Sequence, residues 1–563
     1  MIFDKTITRI FQFLLVLFFV LTASSAVLGF LKVYSPISEI SVSVLLTGCL
    51  LFFLWKQGKD KADPTPSKIP AWLSAVLFGC GIAILCTLII YPVLRWPASH
   101  VGDWFPWDAG LYHFPKAVEL YRSGSIWDLS IAYGDYPFGY ESLLSFGLLL
   151  TGDLTLFGPI HALIVLFFIC GFWVLARRIT KLDGGLLMLL IAVFILSDRL
   201  FQFMNLWRVF TLDIYTVGKN DLLVTASLLA ALYYFYQVQE RYESGILGFA
   251  LASGLAASIK PNTLYVLFPL WLFLFIRNYR ERLGSLAAHA LLLIPGLLWL
   301  VRNLIVLGAP VSADAARLSA WSIVSNLTNP YFYQNIPKNL LLVVGLVALE
   351  VVLAFKNNKA HFWNAVVAVV LLAAFISTPV TAYFGDTNTI PSINWRFGEA
   401  LLAFLGILVL NDLAILGRSF KMKKALPRAA AALLAGTALA GSTFFIYQQR
   451  ESMQAVPQNV IILHDQFREP VGVQGYRSAY DYIQKNVHDA VVWVENGLPF
   501  YLYDAGFTNT VSRESQADYV VGFRKDWFGE GEMDYPALIE KLLASQTYEI
   551  VYQDTQGIVL HQK

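Results

Sequence analysis

Apolar runs of near-bilayer length recur along this chain, and they constrain its fold more than any other feature. A spanning helix needs about 20 mostly apolar residues. Candidate spans start near Ile10, Glu39, Trp72, Leu156, Gly184, Asp221, Ser244, Asn262, Leu286, Lys338, His361, Phe397 and Arg428, thirteen in all. Composition agrees. The 563 residues are 57% apolar and 14% charged, where soluble proteins average roughly 45–50% and about 25%. This excludes a disordered chain, a disulfide-stapled secreted domain and an ordinary soluble enzyme. The net charge of +2 argues against a nucleic-acid partner, which needs a basic face. Cys49, Cys80, Cys86 and Cys170 lie inside apolar runs without metal-ligand spacing. The expected fold is a polytopic α-helical membrane protein solvated by membrane lipids.

Charge density marks a boundary. Ala455 to Lys563 carries 8 basic and 15 acidic residues, net −7, whereas the residues before it sum to net +9. A small soluble domain is therefore expected over 455–563. Its pattern predicts helices at Tyr476–Asn486 and Pro536–Ser545, strands at Val491–Glu495 and Tyr519–Phe523, and a terminal hairpin of Tyr548–Tyr552 with Ile558–His561. This is an α/β domain without a phosphate loop, a metal cluster or a nucleophile elbow. A supporting or substrate-positioning role suits it better than a second active site. The remaining chain divides into two N-terminal spans with a basic loop, 1–71, and a larger membrane body, 72–448.

Orientation follows the lysines and arginines, which gather on the cytoplasmic side. With the N-terminus inside, five clusters face the cytoplasm: Lys56/Lys59/Lys61/Lys68, Arg177/Arg178/Lys181, Arg277/Arg280/Arg282, Lys356/Lys359, and Arg418/Lys421/Lys423/Lys424/Arg428. An odd number of spans then puts the C-terminal domain outside. Phe138–Gly152 is apolar but covers only roughly 22 Å of a ~30 Å core. It contains Glu141 and reads as an interfacial or re-entrant helix on the outer side. The loop 97–137 before it interleaves Asp103, Asp108, His113, Lys116, Glu119, Asp128 and Asp135 with Trp104, Phe105, Trp107, Tyr112 and Tyr133. Aromatic rings at this density favour the headgroup level, and a loop of this length is commonly functional.

The run Trp107-Asp108-Ala109-Gly110-Leu111-Tyr112-His113-Phe114-Pro115, followed by Tyr136-Pro137-Phe138-Gly139-Tyr140-Glu141, resembles the first external loop of the GT-C superfamily of membrane glycosyltransferases. It is similar to the branch of protein O-mannosyltransferases and aminoarabinose transferases. Lys219-Asn220-Asp221, Lys260-Pro261-Asn262, Arg302-Asn303, Gly308-Ala309-Pro310 and Trp395-Arg396-Phe397 occur in the family's order between Trp72 and Asn411. The resemblance implies an inverting glycosyltransferase in a bacterial inner or plasma membrane. Its donor would be a polyprenyl-phosphate sugar and its acceptor a glycan, lipid or protein. A divalent metal ion is the one cofactor the resemblance leaves open. A lipid-linked glycan polymerase or ligase with a lipid-diphosphate donor is a second reading. A transporter or flippase of lipid-linked glycans is a third, although such proteins place charges at the midplane and often show repeats.

Sugar transfer from a lipid phosphate needs a carboxylate near the anomeric carbon and cations on the leaving phosphate. Asp108, with Asp103 beside or in place of it, is the expected catalytic carboxylate, either as base or as metal holder. His113, Glu141, Lys219, Lys260, Arg302 and Arg396 are the expected substrate contacts; Asp221 and Asp386 are secondary candidates. Each has a plainer reading. Asp108 and Asp221 could cap helices, Glu141 could pair with a nearby cation, Lys219 could snorkel, and Arg302 and Arg396 could flank spans. In an α-helix starting at Asp108, His113 would point about 140° away from it.

Overall fold

The computed structural model describes residues 2–57, 69–94, 108–200, 214, 217–240, 242–278, 280–312, 321–336, 338–356, 359–383, 392–419, 436–437, 439–440, 443, 476–495, 497–512, 517–524, 535–555 and 557–563. The chain is mostly helical. In order come α1 (Ile2–Phe30), α2 (Pro36–Gln57) and α3 (Ala71–Leu94). The loop helix α4 (Phe114–Ser123) and the short α5 (Gly139–Thr151) follow. The body continues with α6 (Phe157–Thr180), α7 (Gly184–Leu200), α8 (Asp221–Gln239), α9 (Glu243–Ile259) and α10 (Leu264–Asn278). It closes with α11 (Leu283–Leu307), α12 (Lys338–Lys356), α13 (Lys359–Ser377) and α14 (Glu399–Ser419).

An apolar helix occupies each of the first twelve expected span positions. Among the described residues eight are long and apolar enough to cross a bilayer, and Gly184–Ile195, Ser244–Ile259 and His361–Ser377 are shorter apolar helices. The thirteenth expected position, from Arg428, lies outside the described residues apart from a few helical positions between 436 and 443. Burial differs sharply between helices. Along α8 every residue from Asp221 to Val238 is buried, because α6 and α9 pack along it. On α2 and α12 the side chains Val44, Leu45, Phe52 and Phe355 are exposed, as suits helices whose apolar surface is turned to lipid. Small residues bring backbones close, as is common between membrane helices. A Cβ on Gly296 of α11 would stand 2.3 Å from the carbonyl oxygen of Gly254 on α9.

The short α5 does not carry the chain to the far end of the bundle. His113 meets Glu141 at its start, and the adjacent Phe114 packs on Phe157 at the start of α6, with ring centroids 5.1 Å apart. Both ends of the α5 segment therefore return to the end of the bundle that holds the loop. Gly152 closes α5 in the left-handed conformation, φ 74°, which glycine adopts without steric cost.

Before α14 a short antiparallel pair joins β1 (Ala382–Tyr383) to β2 (Ser392–Ile393). The C-terminal domain is a five-stranded sheet in the order β4 (Thr510–Val511), β3 (Val491–Val494), β5 (Tyr519–Phe523), β7 (Gly557–Gln562), β6 (Tyr548–Gln553). β3 is parallel to β4 and β5, while β7 is antiparallel to β5 and β6. Side-chain alternation gives the sheet two apolar faces. Val492, Val494, Val521 and Val559 share one cluster with Ala479 and Ile483 of α15 (Tyr476–Asn486). Val520, Ile558 and Leu560 share the other with Ile539 of α16 (Ala537–Ala544). The domain sits on the loop helix. Tyr503 Oη donates to Glu119 Oε1 at 2.7 Å, and Arg122 donates to Thr508 O at 2.8 Å and to Thr510 Oγ1 at 2.9 Å. Loop and domain therefore share one side of the bundle.

Candidate functional site

Asp108 is not a cap. Its backbone is helical (φ −60°, ψ −36°) and its side chain accepts no capping hydrogen bond. The residues after it, Ala109–His113, form a π-turn in which the Phe114 N–H donates to Ala109 O. A turn closing on the fifth residue brings positions five apart over one another. The 140° divergence of an α-helix is therefore reduced, and the Asp108 charge acts on His113 although the two side chains take different partners. Gly218 makes room for this turn: its φ is +96°, and a Cβ there would stand 2.4 Å from the Ala109 Cβ. The Gly218 N–H also donates to Tyr140 Oη at 2.9 Å.

Two charged clusters result. In the first, Arg396 is shared: its Nη2 lies 2.6 Å from Asp108 Oδ2 and its Nε lies 2.7 Å from Asp221 Oδ2. Lys260 pairs with the other oxygen of Asp221 and stacks over the Phe397 ring at 4.7 Å. Lys219, partly buried, is close enough for its charge to act on Asp221. Lys260 reaches this position because α9 ends at Ile259 and a short 3-10 turn, Pro261–Thr263, precedes α10. Beside the cluster is a small cavity lined by the polar Asp221, Lys260 and Arg396 and by the apolar Val224, Leu371 and Phe375. Glu399, buried, also lines it and accepts from Thr225 Oγ1 at 3.2 Å.

The second cluster is buried outright. His113 Nδ1 lies 2.7 Å from Glu141 Oε1, and Lys116 Nζ lies 3.4 Å from the same oxygen. Lys116 also donates to Pro137 O at 2.8 Å and sits 4.3 Å over the Phe138 ring. Burial pushes the Glu141 carboxyl up, but the Lys116 charge and the His113 hydrogen bond outweigh it and hold the group below its ordinary range. Burial draws the His113 imidazole down despite the neighbouring carboxylate, so its neutral form is favoured. His113 Nε2 and Glu141 Oε2 find no hydrogen-bond partner among the described residues. The expectation that Glu141 would need a cationic partner on an apolar helix is met by Lys116.

Arg302 belongs to neither cluster. It is fully buried, and Nη1 donates to Ile126 O at 2.9 Å while Nη2 donates to Gly134 O at 2.7 Å. Its Nε and Nη2 also donate to Asn303 Oδ1, and Asn303 Nδ2 in turn holds Asp135 O at 2.6 Å and Pro310 O at 2.8 Å. The Arg302-Asn303 pair thus clamps residues 126–136 of the loop from α11.

Of the residues expected from sequence, the structure gathers Asp108, Lys219, Lys260, Arg396 and the secondary Asp221. It places His113 and Glu141 together next door and Arg302 on the loop's backbone. Asp103 and Asp386 lie outside the described residues. Sequence reasoning did not single out Lys116 or Glu399. Their signal was a lysine three positions after His113 and an acid three positions after Arg396. The guanidinium of Arg396 stands between the two nearest carboxylates, Asp108 and Asp221, so the place a bridging divalent ion would take is filled by the chain's own cation. These residues do not fit a metal centre. In comparison with known proteins, no protein-family model and no curated protein matches this chain.

Proposed function

We propose that the protein is an inverting glycosyltransferase of GT-C type. It moves a sugar from a polyprenyl-phosphate donor to an acceptor hydroxyl on a glycan, lipid or protein at the outer side of the membrane. The observation that carries this reading is the first cluster. Arg396 and Lys260 meet at Asp221 beside a cavity with apolar walls, Arg396 also holds the partly exposed carboxylate of Asp108, and the charge of Lys219 reaches Asp221. Cations in such a setting suit the phosphate, the apolar wall suits the first prenyl units, and Asp108 suits the acceptor proton.

The reaction on this reading has one displacement. The acceptor oxygen attacks the anomeric carbon from the face opposite the phosphate and yields its proton to Asp108. The bond between that carbon and the phosphate oxygen breaks, its electron pair stays on the phosphate, and Arg396 and Lys260 stabilise the charge that develops there. Polyprenyl phosphate leaves.

The test is transfer of labelled sugar from a polyprenyl-phosphate donor by purified protein in nanodiscs. Asp108→Asn should lower kcat by about 10²–10⁴ without raising the donor KM. Arg396→Ala should raise donor KM instead, by about 10- to 150-fold for a lost charge-assisted contact of roughly 1.5–3 kcal/mol. Asp103→Asn, made in parallel, reassigns the base if it alone is inactive. Movement of lipid-linked sugar between leaflets without any transfer would overturn the reading in favour of a transporter.

A further inference from the structure

A third cluster stands at the opposite end of the bundle. It joins Glu350 on α12, His361 on α13 and Asp412 on α14, with one ligand-type atom from each lying within 4.8 Å of the others. Asp412 is thirteen residues into α14, roughly 20 Å along its axis from Glu399. His361 begins α13, whose other end stacks Phe375 on Trp395 at 5.1 Å. The cluster is thus remote from the cavity beside Arg396.

We infer that Glu350, His361 and Asp412 form a binding site for a divalent transition ion of the Zn²⁺ class. Glu350 is 2% exposed, and while its Oε2 lies 3.3 Å from His361 Nδ1, its Oε1 has no hydrogen-bond partner among the described residues. A buried carboxylate oxygen left unpartnered is costly, and an ion held by both Glu350 oxygens, Oε2 beside His361 Nδ1 and Oε1 behind it, removes that cost. One imidazole nitrogen and two carboxylates carry the charge that balances a divalent cation. The nitrogen donor favours zinc-like ions over calcium and magnesium, which prefer oxygen alone. Geometry agrees. Tetrahedral ligands at about 2.0–2.2 Å from zinc stand about 3.3 Å from each other, the separation that Glu350 and His361 already have. Closing the set requires only a small approach by Asp412, whose partner is the neighbouring Asn411 amide at 3.4 Å. Bound there, the ion ties α14 to the α12–α13 pair at the end remote from Arg396. This proposal does not depend on the glycosyltransferase reading.

The experiment uses the full chain in nanodiscs after chelator treatment. Titration with Co²⁺ should give a saturable visible d–d band at one equivalent per chain, and added Zn²⁺ should bleach it. Elemental analysis after Zn²⁺ loading and gel filtration should find one zinc per chain. Glu350→Gln and Asp412→Asn should each lower the Zn²⁺ affinity at least tenfold, and Zn²⁺ should raise the melting temperature of the wild-type protein only. Absence of a d–d band in the wild-type chain would overturn the proposal without recourse to any variant. A band and stoichiometry unchanged in both variants would do the same, leaving the cluster as an imidazole set between two carboxylates.

Discussion

Replacing Arg302 by alanine separates a loop clamp from a phosphate contact. The side chain is fully buried and gives two short hydrogen bonds to carbonyls of the loop, at Ile126 and Gly134, besides those to Asn303. A hydrogen bond to a charged group contributes roughly 1.5–3 kcal/mol, and each buried carbonyl left unpaired costs about 1–3 kcal/mol. The terms overlap, so removing the arginine should weaken the loop's anchorage by roughly 3–5 kcal/mol, the range for one lost member of a buried charged network. At about 1.4 kcal/mol per decade, local opening should become roughly two to four orders of magnitude more frequent. Hydrogen exchange followed by mass spectrometry on peptides spanning 124–137 reads this directly. Arg302→Lys should recover only part of the protection, because an ammonium cannot reach two carbonyls and an amide as a planar fork does. Unchanged protection in Arg302→Ala, together with a 10- to 150-fold loss of donor affinity (roughly 1.5–3 kcal/mol), would refute the clamp and restore the phosphate role expected from sequence.

Other outcomes follow from the same geometry. Gly218→Ala meets both a positive φ and the Ala109 side chain; it should lower thermal stability by at least ~1–2 kcal/mol and reduce transfer, and a variant as stable and active as the wild type would remove the argument for a tight turn there. His113 has its folded pKa below the ordinary 6.5, so its contribution to stability is complete above about 6.5 and is lost as pH falls from there toward the folded value, at up to about 1.4 kcal/mol per pH unit. Glu141 is also depressed, below 4.5, so its own loss comes at lower pH; thermal melts at pH 7.5 and 5.5 should show a smaller acid loss in His113→Gln than in the wild type, and parallel losses would contradict this. Ser545 is exposed on the C-terminal domain. In a chain whose four cysteines are replaced by serine, Ser545→Cys should react with an impermeant thiol reagent in intact cells, whereas labelling only after lysis would put the domain, and with it the loop helix it rests on, in the cytoplasm.

Much of the fold was legible because its signals are periodic or compositional. The twelve apolar helices and the strands at Val491, Tyr519 and Ile558 stand where hydropathy and β-branched runs put them. The two-residue strand Thr510–Val511 was too short to leave a pattern. Span number was less legible, since a helix such as α9, enclosed by other helices, can be shorter than a lipid-facing one and equally apolar. Asp108, Arg396 and Lys260 stand on separate loops in the sequence, and the fold brings them together. The spacing of Asp108 and His113 left their relative direction dependent on the turn between them, because a π-turn has no periodic signature. Arg302 reads identically in sequence whether it faces a phosphate or carbonyls more than 160 positions upstream. Only the tertiary fold distinguishes the two.

The sharing of Arg396 between Asp108 and Asp221 has a consequence for timing. At rest the guanidinium is paired with Asp108. On the proposed reading an arriving donor phosphate would compete for the same guanidinium and, in taking it, would release the carboxylate to face the acceptor. Occupancy and release would then be a single event. Water, which brings no anion, would leave the carboxylate engaged. On the proposed reading, the chain's own counter-ion is its safeguard against spending donor sugar on solvent, and Asp221 is the keeper that holds the arginine in place while Asp108 is released.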